Sequence, residues 1–108
     1  MKLDFNQLSY NELHNFKGGH GVLLSKIILE GDKKIMHHII KKGCSVGQHK
    51  HIDDQEIVYV LKGIATIKDD DETYELHKDC AHICLKGHRH EIINNHEEDL
   101  EIFAIVCK

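Results

Sequence analysis

The sequence predicts an all-β domain of the sandwich or barrel kind, and three observations carry that prediction. Short segments rich in Val, Ile, Leu and Thr recur at even spacing between turns, about nine or ten strands in all. Helical periodicity is nearly absent. Two of the segments are apolar on both faces: Ile57, Tyr59 and Leu61 oppose Val58 and Val60, and Phe103 and Ile105 oppose Ile102, Ala104 and Val106. A lone sheet with one wet face would alternate, so something must cover the second apolar face. The other sheet, the amino-terminal segment and a second subunit are the three covers open to it.

In chain order, Ser9 caps the one short helix candidate, with Glu12 completing a capping box, and Gly18-Gly19-His20-Gly21 breaks the chain after it. Residues 22–29 read as a strand, 30–33 as a hairpin turn and 34–41 as the returning strand, ended by Lys42-Gly43. Strands follow at 46–51, 56–61 and 64–68, separated by the polar turn 52–55 and by Lys62-Gly63. Asp69 to Asp71 turns the chain into 73–76, and strands at 80–85, 91–94 and 100–106 complete the set. No linker, shift in composition or tandem repeat interrupts residues 1–108, which are read as one domain.

The bulk numbers exclude several classes of function. A formal charge of −4 lacks the dense basic face that nucleic acid requires. The longest apolar runs, 57–61 and 102–107, are far too short to span a bilayer, and residues 1–6 lack the apolar stretch of a signal peptide. A cytoplasmic location is the resulting expectation. The four cysteines are expected as free thiols, Cys80 and Cys84 as a buried pair on one strand. The chain contains no proline and 11 scattered histidines, which only spacing can turn into chemistry.

His49-Lys50-His51 has such spacing. Residues two apart on a strand project from one face, so both imidazoles can point at a single atom. Glu56 opens the next strand, from which a carboxylate can meet them; Asp54 and Gln55 are its neighbouring alternatives. His90 enters a further strand after Gly87. Three neutral imidazoles and a carboxylate form a mixed N/O set suited to iron, manganese, nickel, cobalt or zinc. Elsewhere His38 shares a face with Met36 and Ile40, and His82 with Cys84. Met36, His38, His82 and Val58 are therefore candidates for the lining of a pocket; a partly buried structural histidine is the other reading of His38, and packing against the opposite sheet the other reading of His82. His88 is read as a loop residue near the site, and His14, His20, His37, His77 and His96 as surface.

Residues 43–63 resemble the first conserved motif of the cupin family: Gly43, five residues, His49-x-His51, four residues, Glu56, six residues, Gly63. Every fixed position matches. Residues 79–94 resemble the second motif at Gly87, His90 and Asn94, with Asp79 in place of its first glycine and Leu85 in place of its proline. Both departures touch turns, and Asp tolerates a left-handed turn better than most residues.

The resemblance implies a cupin fold, a double-stranded β-helix or jelly-roll barrel, here with a short amino-terminal extension. It implies one divalent transition metal held by His49, His51, Glu56 and His90, Glu56 alone standing at the motif spacing. Asn94 is then a hydrogen-bonding turn residue, and Gly43 and Gly63 mark tight turns. Small cupins include dioxygenases, isomerases, decarboxylases, lyases and proteins with no established reaction, so fold alone does not choose. The expected partner is a small polar or carboxylate-bearing molecule at open metal positions, bound with or without turnover. A third reading keeps the barrel without a metal. A homodimer is the expected assembly, with neither nucleic acid nor membrane as partner.

Overall fold

The computed structural model describes residues 1–108 as two antiparallel sheets laid face to face. The strands are β1 (Asn11–His14), β2 (Val22–Glu30), β3 (Lys33–Ile40), β4 (Ser45–Lys50), β5 (Gln55–Lys62), β6 (Ala65–Asp69), β7 (Glu72–Leu76), β8 (Ala81–Cys84), β9 (Arg89–Ile93) and β10 (Leu100–Cys107). One sheet has the order β1-β2-β3-β10-β5-β8 and the other β4-β9-β6-β7. The last strand thus inserts between β3 and β5, the crossing connection of a jelly roll. The all-β jelly-roll architecture expected from the sequence is the one observed.

Period-two burial explains why these segments are strands. Met36, His38 and Ile40 of β3, Val58 and Val60 of β5, and Ile102 and Ala104 of β10 are buried on the inner face of the larger sheet. Val46, Ala65, Ile67 and Ile92 meet them from the smaller one. No helix is long and apolar enough to cross a membrane.

The helix candidate at Ser9 is corrected. Asn11–His14 is strand β1, registered from Asn11↔Ser25 to His14↔Val22, and the only helical pieces are 3₁₀ turns at Phe5–Gln7 and Phe16–Gly18. A helix this short has no propagation to offset its nucleation, whereas the edge of β2 offers a ready ladder. The amino-terminal segment covers part of the outer apolar face, Phe5 meeting Phe103 edge-on at 5.7 Å. Tyr10 lies against His37, which is consequently half-buried and not a surface residue. Ile57, Tyr59 and Leu61 stay uncovered, at 39%, 37% and 39% exposure.

All four cysteines are free, but only Cys84 is buried; Cys80 sits exposed in the turn before β8, correcting the expectation of a buried pair. Asp79, standing where the motif has glycine, takes φ 67°, so the substitution keeps the left-handed turn. Asn94 is fully buried: its amide donates to the carbonyls of Ile40 and Glu98, and its Oδ1 accepts from the backbone N–H of His96.

The placement of the site depends on one irregularity. β4 pairs with β9 at Val46↔Ile92 and again at His49↔His90, so Gly47 and Gln48 together oppose Glu91 alone. This bulge reverses the in–out alternation. Val46 faces the core, and beyond the bulge it is His49 and His51 that turn inward while Gln48 and Lys50 are exposed. Gly47 also admits a second chain. A Cβ there would lie 2.2 Å from the Lys17 carbonyl oxygen and 2.4 Å from the Gly19 nitrogen. Gly47→Ala should therefore cost about 1–3 kcal/mol in urea unfolding and displace residues 16–18. An unchanged unfolding midpoint would show that the two chains separate without penalty.

Candidate metal centre

Four side chains from three strands and one strand end converge at one end of the sandwich. His49 lies on β4 and His51 just past its end, where the His51 N–H donates to the His88 carbonyl at 3.0 Å. His90 is the register partner of His49 on β9. Glu56 comes from β5 in the opposite sheet, on the buried row it shares with Val58 and Val60. His51, Glu56 and His90 are buried and His49 nearly so. One donor atom from each lies within 4.8 Å of all the others.

The hydrogen bonds fix which atom each imidazole offers. His49 Nδ1 is 2.8 Å from the Gly47 carbonyl oxygen, which can only accept, so Nδ1 carries the proton. His51 Nδ1 is 2.6 Å from the Asp54 carboxylate, with the same consequence. Asp54 thus serves His51, and does not replace Glu56. His90 Nδ1 is 3.0 Å from His82 Nε2. All three Nε2 atoms therefore face inward. His90 Nε2 lies 2.9 Å from Glu56 Oε1, 3.1 Å from His49 Nε2 and 3.2 Å from His51 Nε2. The His51 and His49 Nε2 atoms stand 3.1 Å and 3.6 Å from the same carboxylate oxygen.

With neutral imidazoles this geometry points lone pairs at lone pairs and at a carboxylate, an arrangement that a central cation relieves. Donors about 2.1 Å from one ion at right angles stand about 3.0 Å apart, which matches every one of these separations except the 3.6 Å between His49 and Glu56. The donor set fits a divalent transition metal.

Electrostatics agree with the crowding. Burial pushes the Glu56 carboxyl up, but without an ion His49, His51 and His90 can each take a second proton on Nε2 and donate it to Glu56, which outweighs burial and holds the group well below the usual carboxylate range. His51 is raised, chiefly by its hydrogen bond to Glu56, against the opposing effect of burial. The Cys84 thiol is pushed up to about 12 by burial, so no thiolate competes as a donor.

A cavity of about 330 Å³ opens onto the cluster. His49, His51 and Glu56 line it, while His90 lies behind them. Met36 and His38 line the cavity; Val58 and His82, expected there, do not. Val58 is wholly enclosed by the core, and His82 is buried on the far side of His90. His88 is an exposed loop residue bonded to Asp70. Sequence reasoning overlooked three lysines in the lining, Lys17, Lys34 and Lys50. Lys50, between the two histidines, and Lys34, two before Met36, stood within the stretches considered, but only the folded wall puts them together. It also overlooked Tyr74 and Asp69, which contact His82 and carried no motif.

Comparisons with known proteins converge. The family described as "Cupin domain" matches residues 36–106. An oxalate-binding protein of Thermotoga maritima is 27% identical over 107 residues, covering 94% of this chain and 88% of that protein. A crystal structure of a predicted oxalate decarboxylase from the same organism superposes with TM-score 0.92 at 24% identity, covering 99% and 98% of the two chains. The structure of KdgF from Halomonas superposes with TM-score 0.80 at 15% identity, over 100% and 96%. At these identities the two superpositions establish the fold alone.

His38 yields a pH test. It is 2% exposed, its Nδ1 has no hydrogen-bond partner, and burial lowers its pKa from 6.5 to about 4. The folded state keeps it neutral while the unfolded chain takes up a proton below pH 6.5. Its contribution is thus present above that pH and lost as the pH falls toward 4, a change of about 3 kcal/mol. Wild-type stability should fall by about that much more than the stability of His38→Gln between pH 7 and pH 4, by denaturant unfolding of the metal-free proteins. Parallel curves would refute the assignment.

Proposed function

This chain belongs to the cupin family, and from that premise we propose that His49, His51, Glu56 and His90 hold one divalent transition metal at which a small carboxylate-bearing metabolite binds. The observation that carries this reading is the convergence of three Nε2 atoms and one carboxylate oxygen at the base of a cavity. Iron, manganese, nickel, cobalt and zinc all accept such a donor set. When bound, the ion supplies a Lewis acid with positions left open to substrate. Glu56 neutralises one of its charges, and the Nδ1 partners keep the imidazoles aimed.

The lysines supply the preference for an anion. Lys34 and Lys17 bring positive charge to the cavity wall, where it would offset a carboxylate not satisfied by the ion. The name of the oxalate-binding relative agrees with this class, and oxalate is the first ligand to test. The cavity suits a small ligand and not a polymer. Asp54 is committed to His51 and Glu56 to the cluster, and His38 is held neutral. Turnover would therefore depend on the metal, as in a decarboxylase, dioxygenase, isomerase or lyase. Retention of the ligand without turnover is the alternative, favoured by the relative's designation as a binding protein.

The protein should be purified without oxygen, loaded with Mn(II) or Fe(II), and given a panel of short carboxylates with oxygen uptake and products followed. Product formation establishes the enzyme; tight binding with no product establishes the binding module. His49→Ala and His90→Ala should each abolish or greatly reduce metal content while the β-rich circular dichroism is retained, and full metal content in either would overturn the ligand assignment. Lys34→Ala should keep the metal and weaken oxalate about tenfold, the loss of roughly one charge-assisted contact.

A further inference from the structure

Behind the metal centre, from His90 outward, runs a chain of three side chains with no part in the ligand set. His90 Nδ1 is 3.0 Å from His82 Nε2. His82 Nδ1 is 2.6 Å from the Tyr74 hydroxyl, and that hydroxyl donates to Asp69 Oδ2 at 2.9 Å. The chain crosses between the sheets, from β9 to β8 and back to β7 and β6. Asp69 ends it at an acidic hollow that shares no residue with the cavity.

His90 differs from the other two histidines in what its Nδ1 meets. A carbonyl and a carboxylate can only accept, so they fix His49 and His51 unaided. A neutral imidazole can accept or donate at either nitrogen, so His82 fixes His90 only if its own proton is placed elsewhere. The rest of the chain places it. An ionised Asp69 can only accept, so the Tyr74 O–H points to it and the hydroxyl oxygen is left to accept from His82 Nδ1–H. His82 Nε2 is then a bare acceptor, His90 Nδ1–H donates to it, and His90 Nε2 is freed for the metal. Every proton in the chain points away from the centre, and reversing one reverses all the others.

We propose that Asp69, Tyr74 and His82 are positioning residues that lock His90 in its metal-binding tautomer through this one-directional hydrogen-bond chain. The lock rests on the metal centre proposed above. Outer partners of ligating histidines are worth about 10–100-fold in metal affinity, and here that effect would have to travel through an intermediary that is itself a histidine.

Competition titration with Co(II) tests it. Tyr74→Phe should weaken cobalt about tenfold and alter the visible cobalt bands. His82→Gln offers His90 an amide oxygen that accepts without help from Tyr74, so this variant should retain cobalt close to wild-type affinity. Adding Tyr74→Phe to His82→Gln should then cost nothing further. A packing role for Tyr74 would weaken cobalt equally in both backgrounds and would overturn the proposal. Long-range ¹⁵N–¹H correlation spectra of the zinc-loaded protein should place the protons of both His82 and His90 on Nδ1; a proton on His82 Nε2 would also overturn it. Wild-type protein that takes up no cobalt removes the metal centre itself. Wild-type protein that binds cobalt, with Tyr74→Phe binding equally well, removes only the lock.

Discussion

The pairing of β4 with β9, with one extra residue on β4, is the constraint from which the site follows. A strand presents alternate residues to one face. Counted regularly from the buried Val46, positions 48 and 50 would point inward and both histidines of the pair would point to solvent. The bulge at Gly47-Gln48 shifts that count by one and places His49 directly across from His90. The same glycine lets residues 17–19 approach backbone to backbone, which brings Phe16 and Lys17 to the cavity wall. One residue type thus serves two purposes, and any side chain at position 47 would disturb both.

Burial of a carboxylate beside three imidazoles costs free energy unless each polar atom has a partner. Here the partners are arranged in two layers. The inner layer is Glu56 with the three Nε2 atoms; the outer is a carbonyl, a carboxylate and an imidazole on the Nδ1 side. The outer layer is already in place around an inner layer whose neutral form is self-repelling. Such a frame is preorganised: the cost of holding four donors close together is met during folding by the hydrogen bonds and packing around them.

Much of this was legible in the sequence. Strand order along the chain, the inward row of Glu56, Val58 and Val60, and the shared face of Met36, His38 and Ile40 follow from period two alone. The spacing of His49, His51 and Glu56 relative to Gly43 and Gly63 identified the cluster by resemblance. What could not be read was anything depending on register. The bulge has no compositional mark beyond a glycine in a strand. β1 was mistaken for a helix because a four-residue edge strand takes its stability from its neighbour, while a capping box is a local signal. His82 was assigned to the right face, but alternation gives direction and not distance, so it could not choose between the pocket lining and packing against the opposite sheet, where His82 meets His90.

The division of the molecule into an aliphatic half and a histidine-rich half has a further consequence. Leu23, Ile40, Val60, Ala65, Leu100 and Ile102 form a wholly buried core that does not depend on the cluster of His49, His51, Glu56 and His90. The buried titratable groups are gathered at one end of the sandwich, among His38, His51, Glu56, His82 and His90, while the neutral Ser25, Ser45 and Asn94 are buried elsewhere. Hydrophobic burial scales with area and is indifferent to orientation, so the aliphatic half can carry stability while the other half keeps closely specified polar geometry. The two meet on β3, β5 and β9, where a single row passes from aliphatic side chains to His38, to Glu56 and to His90. Because Glu56 and His90 continue rows whose other members are anchored in the core, their backbone positions are set by packing, and for His90 only the imidazole orientation remains to be set. That remaining freedom is a ring rotation and a proton position, both of which hydrogen bonds on the Nδ1 side can fix.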